Sequence, residues 1–170
     1  EEPAQKYLTK LLGICFFVLN LLLFPIVMLG MFASGVTQIL EKKKYIGYRG
    51  KPIYLWKYRT QRTSGNSFAV GRFLQNSGLY KLPMSINLIA GDILLAGPRP
   101  FTEPDSFAWN NRFDEFYKRY AVKPGFFVIG DESRKLDNAV MASILKKEFK
   151  YLYEPSIEKD IQIIMGRFGQ

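Results

Sequence analysis

The stretch LLGICFFVLNLLLFPIVMLGMFA, residues 11–33, contains no charged residue and decides how the rest of the chain is interpreted. At about 1.5 Å of rise per residue, a helix of this length can cross a hydrocarbon core roughly 30 Å thick. The run is apolar on every side, which argues against an amphipathic helix buried in a soluble core. A signal peptide is the other alternative, since Ala33-Ser34-Gly35 is similar to a cleavage site, but its apolar core would be shorter. The run therefore predicts insertion into a membrane.

Pro25 lies near the middle of this run, and lysines lie on both sides of it. Proline removes one backbone hydrogen bond and favours a kink. Positive residues prefer the cytoplasmic side of a membrane, and Lys6, Lys10 and the lysines at 42–44 place positive charge at both ends. We therefore predict a helix–break–helix over residues 6–40 that re-enters the same leaflet, with Pro25 as the membrane break. A single span kinked at the proline is the alternative.

The whole chain is 170 residues long, carries a formal net charge of +9 and contains no histidine. Its length and its 48% hydrophobic content allow one compact domain with a core. The missing histidine removes the most common general base and metal ligand, and the single cysteine, Cys15, excludes a disulfide framework or a zinc cluster. A metal, if bound, would be a hard cation such as magnesium on oxygen ligands. The positive charge predicts anionic partners.

Residues 41–62 mix basic and aromatic side chains directly after the apolar run. Tyr48-Arg49-Gly50-Lys51 predicts a hairpin turn, and residues 53–58 alternate as in a strand. A basic, aromatic segment beside a membrane helix suits the lipid headgroup interface, so we expect membrane lipid as a partner and no nucleic acid. Lys57 and Arg59 lie two residues apart, and on a strand they would share one face and be able to bind phosphate. A solvated basic face is the alternative.

The remaining sequence predicts a mixed α/β organisation. The apolar segment 87–95 is broken by Gly91-Asp92, and a short helix begins at Val70. The last amphipathic stretch, residues 156–165, predicts a helix capped by Ser156. Aromatic residues at spacings of three, four and seven predict one face of a further helix. These are Phe113, Phe116, Tyr117 and Tyr120.

The order of motifs along the chain resembles that of the bacterial sugar transferases, the monotopic phosphoglycosyl transferases that start glycan assembly on a polyprenol carrier. The blocks that carry the resemblance are Lys57-Tyr58-Arg59-Thr60, Gly71-Arg72-Phe73-Leu74, Leu82-Pro83, Gly97-Pro98-Arg99-Pro100 and Val122-Lys123-Pro124-Gly125. The resemblance extends over residues 6–164. It implies a small, membrane-associated α/β domain over residues 41–170, anchored by a re-entrant helix over residues 1–40. It also implies a place at the cytoplasmic face of the bacterial inner membrane.

Members of this family transfer a phosphosugar from a UDP-sugar to polyprenol phosphate, and the resemblance implies an aspartate–glutamate dyad directly before Leu82-Pro83. In the family, the aspartate attacks the phosphate next to the sugar and the glutamate helps to hold magnesium. This chain has Tyr80 and Lys81 at those two positions. A tyrosine hydroxyl has a pKa near 10 and is a poor nucleophile without a base to activate it. A lysine ammonium repels magnesium.

We therefore expect a catalytically silent family member without a resident metal or other cofactor, acting as a structural or regulatory partner of an active sugar transferase. One alternative is an active, magnesium-dependent transferase with a non-standard site that uses Tyr80 or the displaced acids Asp131 and Glu132. Another is a binding module for a nucleotide sugar or polyprenol phosphate. Aromatic residues over 101–120 and at Phe126-Phe127 are the expected partner contact, with packing inside the domain as the alternative. The candidate phosphate- or nucleotide-binding residues are Lys57, Arg59, Arg72 and Arg99.

Overall fold

The structure is a computed structural model that describes residues 3–62, 64–130, 136–153 and 156–168. Within these ranges the helices are α1 (Pro3–Ala33), α2 (Ala69–Ser77), α3 (Ser85–Ala90), α4 (Glu103–Asn110), α5 (Asn138–Tyr153) and α6 (Ile157–Phe168). The strands are β1 (Leu40–Ile46), β2 (Pro52–Tyr58), β3 (Leu94–Gly97) and β4 (Gly125–Val128). Short 3-10 helices lie at Tyr48–Gly50, Leu79–Met84 and Phe116–Ala121. This mixture of helix and strand behind a long apolar helix confirms the predicted fold class.

The helix α1 continues through Pro25, so the predicted interruption of helical structure at that residue is wrong. A proline inside a helix removes one hydrogen bond, and the turns on either side keep theirs, so the helix continues with at most a bend. The segment Lys6–Ala33 is long enough to cross a membrane, and its most apolar stretch has a mean hydropathy of 2.6. Only 11% of that stretch is buried against the rest of the chain, which leaves most of its side chains for lipid.

The domain contacts α1 near both of its ends. Toward the N-terminal end, Gly13 lies so close to α3 that a Cβ atom there would be 3.0 Å from the Cβ of Leu88. Toward the C-terminal end, a Cβ atom on Gly30 would lie 3.2 Å from a methyl group of Val70 in α2. Residues 13 and 30 are roughly 25 Å apart along a helix. The absence of a side chain at both glycines therefore lets the domain hold α1 at two separated places.

The middle of α1 packs on the strands. The Tyr58 hydroxyl donates a hydrogen bond of 2.7 Å to Oδ1 of Asn20, and the rings of Phe24 and Tyr58 lie 6.3 Å apart. Phe16 stacks on Phe126 of β4 with a centroid distance of 5.2 Å. Burial raises the pKa of Tyr58 to about 12, so its hydroxyl stays protonated and able to donate. This hydrogen bond accounts for a polar residue at position 20 of the apolar run, because Asn20 fastens α1 to β2.

The strands of the described chain pair into two small sheets. β1 and β2 are antiparallel, with Leu40 opposite Tyr58 and Ile46 opposite Pro52, and the predicted turn joins them. β3 and β4 are parallel, with Leu94 opposite Gly125. A Cβ atom on Gly125 would lie 2.2 Å from the backbone nitrogen of Gly97, so only glycine permits this close approach of the two strands.

Several local predictions are confirmed. The apolar segment 87–95 divides at Gly91, whose φ of +80° ends α3 before β3 begins. The final helix α6 follows Ser156, whose Oγ accepts a hydrogen bond of 3.3 Å from the backbone N–H of Lys159. The predicted helix at residues 70–76 corresponds to α2. In each case a turn or cap residue next to an apolar stretch marked the boundary.

The aromatic residues over 101–120 divide between core and surface: Phe101, Trp109 and Phe116 are buried, whereas Phe107 and Tyr117 are exposed. The predicted α-helix over 113–120 is wrong, because Phe116–Ala121 is a 3-10 helix and Phe113 precedes it. Val122 is extended and Pro124 follows two residues later, so the helical segment before them is short. Short helical segments are often 3-10 helices. Phe116 is fully buried, whereas Tyr117 is 60% exposed.

The expected partner contact at Phe126-Phe127 is wrong for Phe126. That side chain is 6% exposed and belongs to a core cluster with Leu55, Met84, Leu88 and Ile93. Phe101 is 5% exposed and lies in a second core cluster. These aromatics hold the domain together, and the alternative of packing inside the domain is correct for them.

Candidate functional site

A groove of about 1290 Å³ lies between α1, the chain preceding α3, β4 and the last two helices. Its floor is the 3-10 helix Leu79–Met84. Gly78 has a φ of +74°, a left-handed conformation that turns the chain out of α2 into this floor. Phe16 and Leu19 of α1, with Phe126 and Phe127, give the groove an apolar side that is continuous with the membrane helix.

Tyr80 and Lys81 both line this groove. Lys81 is 4% exposed, and its Nζ donates a hydrogen bond of 3.3 Å to the carbonyl of Phe126. The same Nζ lies 5.7 Å from the centroid of the Tyr80 ring. Nζ of Lys57 lies 5.8 Å from that centroid and donates to the Tyr45 hydroxyl at 3.3 Å. Two ammonium groups therefore flank the ring of Tyr80.

The opposite wall of the groove is basic. Lys147 and Lys150 on α5 and Lys159 on α6 line it. Lys147 and Lys150 are three residues apart on a helix, so they lie on the same face. Together with Lys81 they make four lysines, and none of the described residues that line the groove is acidic. An anionic ligand with an apolar part fits this arrangement.

The sequence interpretation missed these lysines because α5 was not predicted. A signal was present: Met141, Ile144, Leu145 and Glu148 recur at helical spacing, and all four are buried. The exposed positions between them include Lys147, which therefore points away from the core. Recognising the helix would have placed a row of lysines on its open face.

The candidate phosphate-binding residues do not meet at one place. Lys57 approaches Tyr80, as described above. Nη2 of Arg59 donates to Oε1 of Gln38 at 2.8 Å, next to the end of α1. Arg72 is exposed on α2. Arg99 lies in a separate cluster behind β3, so these three arginines are not among the residues that line the groove.

The cluster at Arg99 is built around a buried ion pair. Nη2 of Arg119 lies 2.7 Å from Oε1 of Glu148, and the two side chains are 1% and 0% exposed. The same nitrogen donates to the carbonyl of Arg99 at 2.8 Å, and the backbone N–H of Arg99 donates to Oε1 of Glu148 at 3.3 Å. Burial raises the pKa of Glu148 to about 7, while the charge of Arg119 acts in the opposite direction. This pair fastens the loop 97–100 to α5.

The described residues of the groove do not fit a magnesium ion. Lys81 places a cation at the position that the resemblance assigns to a metal ligand, and ammonium repels a divalent cation. Among the residues that the structure describes, no three Cys, Asp or Glu side chains are grouped to hold a metal. The displaced acids Asp131 and Glu132 lie outside the described residues; Gly130, which precedes them, lines the groove.

Comparison with known proteins gives the family. The sequence model of the bacterial sugar transferases matches residues 3–170. The UDP-glucose:undecaprenyl-phosphate glucose-1-phosphate transferase of Escherichia coli strain K12 is 25% identical over 148 residues, which is 77% of this chain and 32% of that protein. A transferase of the same name from Caulobacter vibrioides is 26% identical over 140 residues, 70% of this chain and 51% of that protein.

The galactosyl transferase CpsE of Streptococcus agalactiae is 29% identical over 96 residues, 56% of this chain and 21% of that protein. The chain therefore matches between about a fifth and a half of the length of these three relatives. The family match covers nearly every residue, from the apolar helix through the groove to the last helix. The chain belongs to the bacterial sugar transferase family.

Proposed function

We propose that this chain is a catalytically silent member of its family, a structural or regulatory partner of an active sugar transferase at the cytoplasmic face of the bacterial inner membrane. The observation that carries the proposal is Lys81, a buried ammonium on the groove floor that hydrogen-bonds to the carbonyl of Phe126. Two unit charges of like sign 4 Å apart repel by about 4 kcal/mol at an effective dielectric constant of 20, and a divalent ion doubles that figure. Repulsion of this size opposes magnesium at Lys81.

The surroundings of Tyr80 do not activate its hydroxyl to replace the aspartate nucleophile of the family. A tyrosine hydroxyl must lose its proton before it attacks phosphorus, and the chain contains no histidine to accept that proton. The ammonium groups of Lys57 and Lys81 flank its ring, and ammonium groups are hydrogen-bond donors rather than proton acceptors. The retained groove, with its chemistry altered at both positions, supports a role that needs the shape of the family and not its reaction.

The test of silence is turnover. The purified chain is incubated with UDP-sugars, magnesium and a polyprenyl phosphate, and nucleotide release and the intact mass of the protein are measured. We expect no nucleotide release and no covalent phosphoglycosyl adduct. Turnover that persists through stringent purification and disappears in Asp131→Ala or Tyr80→Phe would establish the active alternative instead.

The partner role is tested by co-expression with an active sugar transferase of the same genome, followed by extraction in mild detergent. Because Phe126 is core, the contact is to be tested at exposed aromatics: Phe107 is 70% exposed and Tyr117 is 60% exposed. We expect a stable mixed complex that is weakened by Phe107→Ser and Tyr117→Ser. The control is Tyr153→Ser on α5, where the aromatic side chain is 83% exposed, and we expect it to leave the complex intact. A chain that always purifies alone would contradict the partner role.

The two-ended docking of α1 supports the proposed placement of both helix ends on one side of the membrane. A straight span perpendicular to the bilayer would carry one end away from the domain, whereas α1 contacts α3 near residue 13 and α2 near residue 30. Single cysteines at Tyr7, which is 74% exposed, and at the exposed Thr37 test this in a Cys15→Ser background. We expect labelling from the cytoplasmic side at both, as at a reference cysteine at Lys51. Labelling of the two from opposite sides would establish a simple span.

A second candidate function is a binding module that acts without a partner, and the basic groove favours it. A groove that had lost all use would have no physical requirement for four lysines on its floor and wall. The co-expression experiment separates the two functions, because a binding module retains its ligand when purified alone.

A further inference from the structure

We propose that the β1–β2 hairpin binds the headgroups of anionic phospholipids at the end of α1, through Lys42 and Arg62 beside the ring of Trp56. Residues 41–62 hold eight basic residues and one acidic residue, which is a net charge of +7 out of the +9 of the whole chain. Most of the excess positive charge therefore lies in one segment directly after the membrane helix. Such a lipid site goes beyond the proposed function, and it requires neither catalytic silence nor a partner.

The end of α1 fixes the level of the membrane surface. The uncharged apolar run ends at Ala33, so the polar boundary of the lipid lies near the next residue, Ser34. Nη2 of Arg62 donates a hydrogen bond of 2.8 Å to the carbonyl of Ser34, and the Arg62 side chain is exposed. Its guanidinium is therefore held at the depth of the headgroups. The same is true of a re-entrant helix and of a single span, because both leave the hydrocarbon after residue 33.

The start of β1 is fastened near the same level. β1 begins at Leu40, seven residues after the last residue of α1. The backbone N–H of Arg59 donates to the carbonyl of Ile39 at 2.9 Å, and its Nη2 donates to Oε1 of Gln38 at 2.8 Å. Lys42 lies two residues into the strand from Leu40, which is about 7 Å along it. The open end of the hairpin, and not its turn, is thus the part next to the lipid surface.

One face of the hairpin combines aromatic rings with an ammonium group. Side chains alternate along a strand, so Tyr54, Trp56 and Tyr58 lie on one face of β2. Tyr58 of this row packs on Phe24 of the membrane helix, with ring centroids 6.3 Å apart. Nζ of Lys42 lies 4.8 Å from the centroid of the Tyr54 ring and 5.2 Å from that of the Trp56 ring. The row that begins on α1 therefore continues into an aromatic and cationic surface.

The composition of this surface fits a headgroup layer. Tryptophan and tyrosine are enriched where lipid chains meet headgroups, and a lysine extends its ammonium from an apolar stem into the phosphate layer. Tyr54 is 49% exposed and Lys42 is exposed, so lipid can contact both. Anionic phospholipids attract ammonium and guanidinium groups at the membrane surface. Charge complementarity and continuity with the membrane helix thus favour lipid as the occupant of this face.

The acidic residues near the hairpin leave the charge of Lys42 in place. Glu41 lies on the opposite face of β1, where it contacts Lys43 at 3.4 Å. Glu103 of α4 contacts Lys44 at 3.3 Å, farther along β1 from α1. Among the ion pairs between residues that the structure describes, none involves Lys42.

The test uses the full chain in nanodiscs of neutral lipid and the fluorescence of Trp56. Trp109→Phe leaves Trp56 as the one tryptophan of the chain. Phosphatidylglycerol or phosphatidylcholine, brominated near the headgroup end of its chains, is added over a series of mole fractions as a short-range quencher. The preference is the ratio of the mole fractions of the two lipids that give equal quenching.

We expect a preference for phosphatidylglycerol at about 0.1 M salt that disappears at about 1 M, because the screening length falls from roughly 10 Å to roughly 3 Å. Equal quenching by the two lipids at the lower salt concentration would overturn the proposed lipid site. A preference that persists at the higher salt concentration would show that charge is not its source and would overturn it as well.

Matched charge variants separate the hairpin from overall charge. Lys42→Gln/Arg62→Gln removes both cations, and Lys146→Gln/Arg112→Gln removes an exposed lysine and an exposed arginine elsewhere. In the first variant we expect the preference to fall about fivefold for each removed cation, equal to ~1 kcal/mol. In the second we expect little change. Equal losses in both variants would show attraction by overall charge and contradict the hairpin site.

Arg62→Gln also removes the hydrogen bond to the Ser34 carbonyl, so two single variants at Lys42 keep the test independent of folding. Lys42→Gln leaves that hydrogen bond in place, and Lys42→Arg keeps the positive charge. We expect a loss of preference in Lys42→Gln and none in Lys42→Arg, with unchanged melting curves in both. An unchanged preference in Lys42→Gln would contradict the site, and Arg62 would then be only a cap at the end of α1.

Discussion

Among the residues that the structure describes, two buried cationic groups lie in contrasting surroundings. Arg119 and Glu148, here called the sealed pair, are 1% and 0% exposed and neutralise each other. Lys81 is also nearly buried, at 4%, but it lies on the floor of the groove shared with Lys147 and Lys150. Arg119 and Glu148 hold the loop 97–100 on α5, whereas Lys81 lines the groove and donates to the carbonyl of Phe126. The difference separates the part of the molecule that maintains the family fold from the part that would determine its function.

Breaking the sealed pair is expected to have the largest effect. Glu148→Ala removes the hydrogen-bond acceptor as well as the counter-charge of the buried Arg119 guanidinium, and removing one partner of a buried pair typically costs about 3–5 kcal/mol. We expect a loss of about 3 kcal/mol or more in the free energy of unfolding, measured by denaturant titration in detergent. Glu158→Gln on the exposed face of α6 is the control and should change little. Equal stability of the two variants would show that the pair does not hold the fold.

The pH dependence of stability is a second test of the sealed pair. The pKa of Glu148 is raised from 4.5 to about 7 by burial, so the folded chain binds a proton between these values that the unfolded chain has released. This contribution to stability is complete below about pH 4.5 and is lost as the pH rises to about 7. We expect melting temperature to fall across this window in the wild type, with a shallower dependence in Glu148→Gln. Melting temperature that rises across the window would mean that attraction to Arg119 outweighs burial.

On the groove side, Lys57→Gln is expected to act on binding and not on stability. Lys57 lies above the Tyr80 ring at the edge of the groove floor, so its charge adds to the attraction for a phosphate. We expect about a threefold loss of ligand affinity, since an ion pair at a partly exposed site contributes about 0.2–1 kcal/mol. Lys42→Gln on β1, which lies over Tyr54 and Trp56, is the matched control. A loss of unfolding free energy as large as that of Glu148→Ala would show that Lys57 stabilises the fold instead.

The smallest effect is expected at the surface. Lys118 contacts Glu115 three residues earlier, and both side chains are largely exposed. Solvent and salt screen such pairs, so Lys118→Gln should leave the melting curve unchanged within error. A shift in melting temperature comparable to that of Glu148→Ala would show that the buried and the exposed ion pair contribute equally to stability.

Local signals in the sequence predicted much of the fold. Gly91 and Ser156 are turn and cap residues whose effect acts over a few positions, and the structure has their elements as expected. Local signals could not predict the sealed pair. Arg119 and Glu148 are far apart in the chain and meet only when the helix α5 packs against the loop 97–100. The parallel pairing of β3 with β4 is likewise long-range.

Only the part of the candidate site that lies in one short sequence motif was predictable. Tyr80 and Lys81 stand beside Leu82-Pro83, a short motif, so their place on the floor followed from the resemblance. The basic wall comes from helices late in the chain, and only folding brings Lys147 and Lys159 opposite Lys81. The three arginines chosen for phosphate binding were selected by charge and motif alone, and charge gives no information on which surface a side chain faces.

The docking of α1 at Gly13 and Gly30 has a consequence for the lipid around it. A membrane helix that is free to rotate adapts to a thicker or thinner lipid layer by changing its tilt. Here two contacts roughly 25 Å apart fix the angle between the helix and the domain, so the helix has little freedom to tilt alone. In the proposed arrangement with both helix ends on one side, a change in the depth of the surrounding leaflet must then be met by deformation of the lipid or by rocking of the entire protein. The depth to which α1 enters the lipid would thereby set the position of the groove opening relative to the membrane surface.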